Sequence, residues 1–509
     1  MKHKITTWAL AAFSAAGLTS CSESFLDREP DGSYITKPQL GEAMKWNSQV
    51  MLGEVQGIST NLVKWSATSM SGTTRQDCFG QKAVDIATDL MTGDMVFSGL
   101  NTYGWFLEDC CLYNASYAAD RTYMLWCYYY SVIHACNLIT DMAGGTDSEP
   151  TDATQKYYFA VAKTIRAHSY FNLITLFAHN YDEAKDKKTL PVYDTQEEVG
   201  GAPQTVDSVY NFILRDLEGA VTAYTNAQAA GFTSSDISMP DLSVAYTVQA
   251  YVQLQKGEYA NALAAARNAI SASQKEMLSA DDLFFGFNTI SNNNWMWGID
   301  ITESNTDKYA TFWSMMDYFT YGYQSLGDYK VINADLFDAI PATDNRRQWF
   351  AAYGDTDYTF LIPANKFFDA ARTPGGDSNW VNDIHFMRIE EPYMIAAEAA
   401  ARLGDLSASC GYLSAMLASR DAEAATAIYA LTQDELLEEI YFNWRLEFWG
   451  EGKSLLTLKR FKKSMTRPEN DYYKGLTALG AVPYSNSRFT FAIPQRELQN
   501  NQLMNEAEQ

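Results

Sequence analysis

Acidic side chains are the most abundant groups in this chain that could do chemistry, with 62 Asp and Glu among 509 residues. A glycosidase needs two carboxyls facing each other across a substrate, roughly 5 to 10 Å apart, with one raised in pKa. Glu390-Glu391 and Glu438-Glu439 are instead neighbours in sequence, so on a helix each pair points in two directions. The five histidines, His3, His134, His168, His179 and His385, are scattered, and HExxH, GxSxG and GxxxxGK[ST] are all missing. No Asp spacing specifies a calcium loop. The chain therefore reads as a protein that is not an enzyme, with no catalytic residue, no cofactor and no metal site.

Aromatic side chains offer a different chemistry. The chain holds 32 Tyr, 26 Phe and 12 Trp, and aromatics make up 14% of it. A sugar ring presents C–H groups to the negative face of an aromatic ring. Its edge hydroxyls bond Asn, Asp, Arg and Tyr. Two segments combine these residue types. Residues 69–108 contain Arg75, Asp77, Phe79, Asn101, Tyr103 and Trp105, and residues 292–323 contain Trp295, Trp297, Trp313, Tyr318, Tyr321 and Tyr323. Trp297 lies in an alternating run from Trp295 to Ile301 and reads as a core strand. Trp105 and Trp313 have polar or glycine neighbours and are the better exposed rings, with Trp380, between Asn379 and Asn382, a further candidate. The expected ligand-binding set is Arg75, Asp77, Phe79, Asn101, Tyr103, Trp105, Trp313, Tyr318 and Tyr321.

The elements that must hold these segments are helical. Val244, Val248 and Tyr251 share a face, Gly257-Glu258 breaks the run, and Tyr259, Ala262, Leu263, Ala266 and Ile270 form an answering stripe. The design returns where Ile395 to Leu403 meets Gly404-Asp405 and then Leu406, Cys410, Leu413 and Leu417. Such hairpins have the local grammar of tetratricopeptide repeats, without a steady 34-residue period. Thr205 is positioned as a helix cap with Asp207 in the first turn, and Thr432 with Glu435 has capping-box spacing. Residues 275–385 carry little sustained period and read as a long functional insertion. Arg388 with Glu391, and Arg445 with Glu447 and Glu451, read as structural charge pairs on helix faces.

At the N-terminus Lys2 and Lys4 precede an apolar stretch from Ile5 to Leu18, then Thr19, Ser20 and Cys21. This is secretory signal grammar, too short for a bilayer span. Leu18-Thr19-Ser20-Cys21 resembles the bacterial lipoprotein box, which predicts lipidation of Cys21. Residues 1–20 are the expected signal, 21–40 a leash, and 41–509 one large domain with insertions near 69–108 and 275–385. The formal charge of −24 opposes nucleic acid and anionic surfaces as partners. The six other cysteines, Cys78, Cys110, Cys111, Cys127, Cys136 and Cys410, show no pairing pattern and read mostly as small buried apolar groups.

Taken together and in order, the motifs resemble the SusD/RagB family of outer-membrane lipoproteins of Bacteroidota. After Cys21 come Phe25-Leu26-Asp27 and Pro30, then Trp126, Tyr129-Tyr130, Ile133 and Asn137, then Arg166-Ala167, Tyr170 and Leu173. Later matches are Leu190-Pro191, Thr205 to Leu217, Asn365-Lys366-Phe367, Met387-Arg388 and Glu391, Ala397-Glu398-Ala399, Arg445 to Phe461, and Ile493-Pro494 to Asn501. The resemblance implies a mostly α fold: four tetratricopeptide-like helix pairs as scaffold and a loop-rich irregular second layer with a few short strands. It implies an outward-facing outer-membrane lipoprotein, attached by its N-terminal lipid only, that binds nutrient oligosaccharide for a SusC-like TonB-dependent barrel. Only Glu23 and Asp27 supply the acidic tract that favours surface export. The alternatives are a peptide-binding lid for a peptide-importing barrel, a surface glycoside hydrolase and a purely structural surface protein. The aromatic loops favour sugar.

Overall fold

The computed structural model describes residues 37–64, 75–110, 112–113, 115–307, 309–351, 359–373, 380–477 and 480–508. Cys21 and the expected signal lie outside them, as does the leash through residue 36. The chain divides into two units, Met1–Val50 and Met51–Gln509. In the first, a helix spans Lys37–Trp46, across the boundary expected at residue 40.

In the second unit helix α1 (Gln81–Thr92) is buried along its whole length. The scaffold follows as α2 (Asp120–Met142), α3 (Ala153–Phe177), α4 (Val206–Ala229), α5 (Leu242–Lys256) and α6 (Tyr259–Ala272), and after a long insertion α7 (Glu390–Arg402), α8 (Leu406–Arg420), α9 (Gln433–Glu447) and α10 (Ser454–Arg460). Four pairs are consecutive in sequence: α2 with α3, α5 with α6, α7 with α8, and α9 with α10. Helix α4 packs against both α3 and α5, and α6 meets α7 across the insertion.

Local chemistry sets the helix ends. The Thr205 hydroxyl accepts the Ser208 N–H, Asp241 caps Ser243 and Val244, and Thr432 and Glu435 form the expected capping box. Gly257 ends α5 at φ 79°, a left-handed conformation that favours glycine, and its N–H bonds Gln253 O and Leu254 O. Val244, Val248 and Tyr251 are buried on α5, and Ala262, Leu263 and Ala266 are buried on α6, which packs against it. Small residues on that seam let the two axes approach closely. Gly404 with Asp405 repeats the turn before α8, where Ser409 Oγ donates to Ala397 O at 2.8 Å.

The strands are short: β1 (Met95–Phe97), β2 (Lys188–Pro191), β3 (Pro203–Thr205), β4 (Trp295–Ile299), β5 (Lys330–Ile332), β6 (Ile384–Arg388), β7 (Ser464–Met465) and β8 (Val482–Pro483). All pair antiparallel in two-stranded sheets, β1 with β5, β2 with β3, β4 with β6 and β7 with β8. Trp297 is buried in β4, as its alternating run predicts.

Two sequence readings are corrected here. The 69–108 insertion is not wholly loop, because it contains α1 and β1. Helix α1 is amphipathic in sequence, with Gln81, Lys82, Asp85, Thr88, Asp89 and Thr92 on one face, yet that polar face is buried too, Lys82 pairing with Asp85 at 3.1 Å. Arg388 ends strand β6 rather than sharing a helix face with Glu391, whose carboxylate instead accepts the Arg388 backbone N–H at 3.1 Å and the Tyr251 hydroxyl at 2.8 Å.

The Arg388 guanidinium reaches Glu447 at 2.7 Å and Glu451 at 2.8 Å. Glu447 also takes Arg346 and Arg420, so three arginines surround one buried carboxylate. Burial alone would raise Glu447, but Arg420, Arg388 and Arg346 outweigh it and hold its carboxyl well below the usual carboxylate range. Arg445 points elsewhere, to Asp94 at 2.6 Å. Glu390 binds Arg420 while Glu391 serves Tyr251, so this adjacent pair diverges and both members are engaged in the core.

Candidate functional site

The pairing of β1 with β5 sets Met95 opposite Ile332 and Phe97 opposite Lys330, which ties the first insertion to the second. On the chain just outside this ladder lie residues 98–106 and 309–329, and their rings meet.

A polar frame shapes the first stretch. Asn101 Oδ1 accepts the Gly104 N–H at 2.8 Å, and its Nδ2 donates to Trp105 O at 2.6 Å. Its backbone N–H donates to the Tyr473 hydroxyl at 2.9 Å, and the Thr102 N–H donates to Asp328 at 2.9 Å. With the backbone fixed on both sides, Tyr103 is pushed outward and is 48% exposed. The second stretch turns at Gly322, where a Cβ would stand 2.6 Å from Ser314. This close approach delivers Tyr321, 42% exposed, and the buried Tyr323 to the same place.

Tyr323 is the hub. Its ring lies 4.8 Å from Tyr103, 6.2 Å from Trp105 and 6.5 Å from Tyr309, in each case edge to face. Its hydroxyl donates to Gln76 Oε1. Tyr309 is 39% exposed and also packs on Tyr321 at 6.5 Å and on Trp380 at 5.7 Å. Trp380 itself sits at φ 48°, and its carbonyl accepts the Thr306 hydroxyl at 2.8 Å. Three exposed tyrosines thus surround a supported aromatic floor.

A buried ion network stands behind that floor. Arg75 lies 5.7 Å from the Trp105 centroid and forks onto Asp77 at 2.9 and 3.0 Å, with Glu108 at 3.3 Å. Arg121 bridges Asp77 and Asp109. Burial pushes Asp77 up, yet Arg121 and Arg75 prevail and hold it below the ordinary range. Burial wins at Asp109, whose carboxyl is pushed up to about 7 despite Arg121. Asp109 Oδ1 is buried without a hydrogen-bond partner among the described residues, whereas Asp77 gains further bonds from Phe106 N–H and the Arg75 fork.

Of the residues expected to bind ligand, Arg75, Tyr103, Trp105 and Tyr321 come together on this rim. Asn101 is buried and shapes its backbone. Asp77 and Phe79 are buried beneath it, as ion partner and as core ring against Phe106 at 6.2 Å. Tyr318 packs on Phe319 and Tyr329. Trp313 corrects the expectation of an exposed ring: it is 1% exposed, and its indole N–H donates to Asn382 O at 2.8 Å. Its polar neighbours in sequence serve a helix cap, Thr311 accepting the Ser314 N–H. Tyr309 was missed by sequence reasoning, since a lone tyrosine among polar residues carries no periodic signal. Among the described residues no group of three His, Cys, Asp or Glu could hold a metal ion, and no helix is long and apolar enough to cross a membrane. The five described cysteines, Cys78, Cys110, Cys127, Cys136 and Cys410, are unbridged.

Residues 341–508 match the SusD family. No curated protein matches the chain in sequence. Solved structures match across nearly its full length. A SusD-like carbohydrate binding protein from Bacteroides vulgatus superposes with a TM-score of 0.75 at 19% identity, covering 91% of this chain and 98% of that one. A SusD superfamily protein from Bacteroides fragilis gives 0.70 at 20% identity, with coverages of 90% and 98%. Surface glycan-binding protein A from Bacteroides thetaiotaomicron gives 0.65 at 19% identity, with coverages of 89% and 97%. The C-terminal third of the chain carries the SusD family's sequence pattern, and the fold is the one those structures share.

Proposed function

We propose that this protein captures nutrient oligosaccharide at the tyrosine-rich rim and passes it to a SusC-like TonB-dependent barrel, without acting on it chemically. The observation that carries the reading is the convergence of Tyr103, Tyr309 and Tyr321, all exposed, from two distant segments onto one supported floor. Exposed rings gathered into one patch, unlike rings scattered singly, mark an interaction surface. Their faces suit the C–H side of a sugar, and their hydroxyls suit its edge. The names of two structural relatives, a carbohydrate binding protein and a surface glycan-binding protein, support the same ligand class. Lipidation at Cys21 would tether the protein to the outer membrane, facing outward, with the lipid as its sole membrane contact.

A calorimetric or affinity-gel screen of purified polysaccharides and peptide pools tests the reading. Saturable binding of one glycan, with no reducing ends released, is the expected result. A peptide response with silence on every glycan would replace sugar by peptide, and released reducing ends would overturn capture without chemistry. Co-purification with a barrel from the outer membrane tests the partner.

A further inference from the structure

The face of α2 that carries Trp126, Tyr130, Ile133 and Asn137 takes no part in the aromatic rim. It lines a different, open cavity of about 800 Å³, together with Glu497 and Asn501 from the end of the chain. Residues carrying the family resemblance at two distant points in the sequence therefore meet around a space that the proposed sugar site leaves unused.

Four rings, Tyr123, Trp126, Tyr130 and Tyr193, wall this cavity. Trp126 lies 4.8 Å from Tyr130, and Tyr130 lies 5.7 Å from Tyr193. The Tyr130 hydroxyl donates to Pro191 O at 2.8 Å, and the Tyr193 hydroxyl accepts the Gly201 N–H at 3.0 Å. These bonds fix the two tyrosine rings and engage their hydroxyls with backbone, while the buried Trp126 supports them from behind, so that the half-exposed Tyr123, Tyr130 and Tyr193 offer the ring surface. Two carboxylates stand among them. Glu198 accepts the Asp194 N–H at 3.1 Å, and Glu497 accepts the Asn501 side-chain amide at 3.0 Å. Neither forms an ion pair among the described residues.

Ring faces and carboxylates attract the same kind of group. A planar guanidinium stacks on the first and forks onto the second. The wall already accepts such a contact, because the chain's own Arg496 lies 4.8 Å from the centre of Tyr123. A neutral sugar would cover the rings but would leave the half-buried Glu497 carboxylate further desolvated and without a cation, which is costly. The cavity is also larger than one side chain needs. Val199, 87% exposed at its mouth, offers apolar contact to flanking residues. The net charge of −24 favours a basic visitor at long range.

We propose that this cavity is a docking site for a basic segment of a partner protein, with an arginine side chain against the Tyr130–Tyr193 wall and its guanidinium on Glu497 or Glu198. The test is titration calorimetry of the full purified chain with acetyl-Gly-Arg-Gly-Arg-Gly-amide and with its twin in which citrulline replaces arginine. The arginine peptide should saturate, more weakly at high salt, and the citrulline peptide should bind roughly tenfold more weakly or not at all. The double variant Glu198→Gln, Glu497→Gln should lose that discrimination while retaining its fold. Equal binding of the two peptides, no response to either, or an unaffected double variant would each overturn the proposal. Argininamide binding as tightly as the peptide would also overturn it, because the occupant would then be a small cation. The peptide comparison and the fold of the double variant read out independently of whether the rim binds sugar.

Discussion

Replacing Tyr309 by alanine should weaken glycan binding far more than it weakens the fold. A tyrosine contributes roughly 200 Å² of side-chain surface. With 39% exposed, about 80 Å² remains for a ligand to cover. At about 25 cal/mol per Å², complete coverage is worth ~2 kcal/mol and half coverage ~1 kcal/mol. The dissociation constant should therefore rise about 5- to 30-fold. The ring also braces Tyr321 and Trp380, so the lower figure applies only if those neighbours keep their places. Affinity comes from calorimetry with the glycan identified by the screen, and stability from the melting transition of the helical circular dichroism signal. The melting temperature should fall by no more than a few degrees, since a change of about 1 kcal/mol moves a large domain only slightly. A variant that binds within threefold of the parent would refute the assignment of Tyr309 to the ligand surface. Loss of the cooperative melting transition would refute the claim that its exposed ring is dispensable to the core.

Three further outcomes are expected. Trp313→Ala should destabilise the fold by about 3–5 kcal/mol, as for other buried tryptophans, measured by urea unfolding; unchanged stability with lost binding would restore it as a ligand platform. Glu447→Gln strips the carboxylate from Arg346, Arg388 and Arg420 and should cost about 3–5 kcal/mol by the same measurement, since it leaves buried charge uncompensated. Asp109, raised from an ordinary 3.8 to about 7 by burial, binds its proton more tightly in the folded chain than in the unfolded one, so its contribution to stability is lost as pH rises from about 4 through 7. The melting temperature of Asp109→Asn minus that of the parent should accordingly increase between pH 5 and pH 8, and a pH-independent difference would contradict the burial argument.

Much of the scaffold is legible in the sequence because its signals are local. Gly257 and Gly404 mark turns that need positive φ, Thr205 and Thr432 cap within three residues, and alanine stripes mark the close seams. The site is less legible because it depends on distant pairings. Nothing near Met95 announces Ile332 as its partner, yet that ladder is what makes two separate aromatic segments into one rim. Neighbour polarity separated Trp105 from Trp313 poorly for the same reason: the polar residues beside Trp313 are used by a cap and by buried hydrogen bonds, not by solvent. Helix α1 buries its polar face because its one lysine and two acids find partners inside, which a pattern of apolar spacing cannot reveal.

The short β1–β5 ladder also separates two tasks that a single chain must perform. The helix pairs can hold their packing while residues 98–106 and 309–323 change, because the first stretch leaves from β1 and the second leads toward β5, and the paired strands are buried and tied by backbone bonds. The two stretches therefore behave as a cassette. Transplanting both together from a relative with another ligand should transfer specificity while preserving the melting behaviour of the host. Transplanting either one alone should yield a folded protein with half a rim, since Tyr103 comes from one stretch and Tyr309 and Tyr321 come from the other.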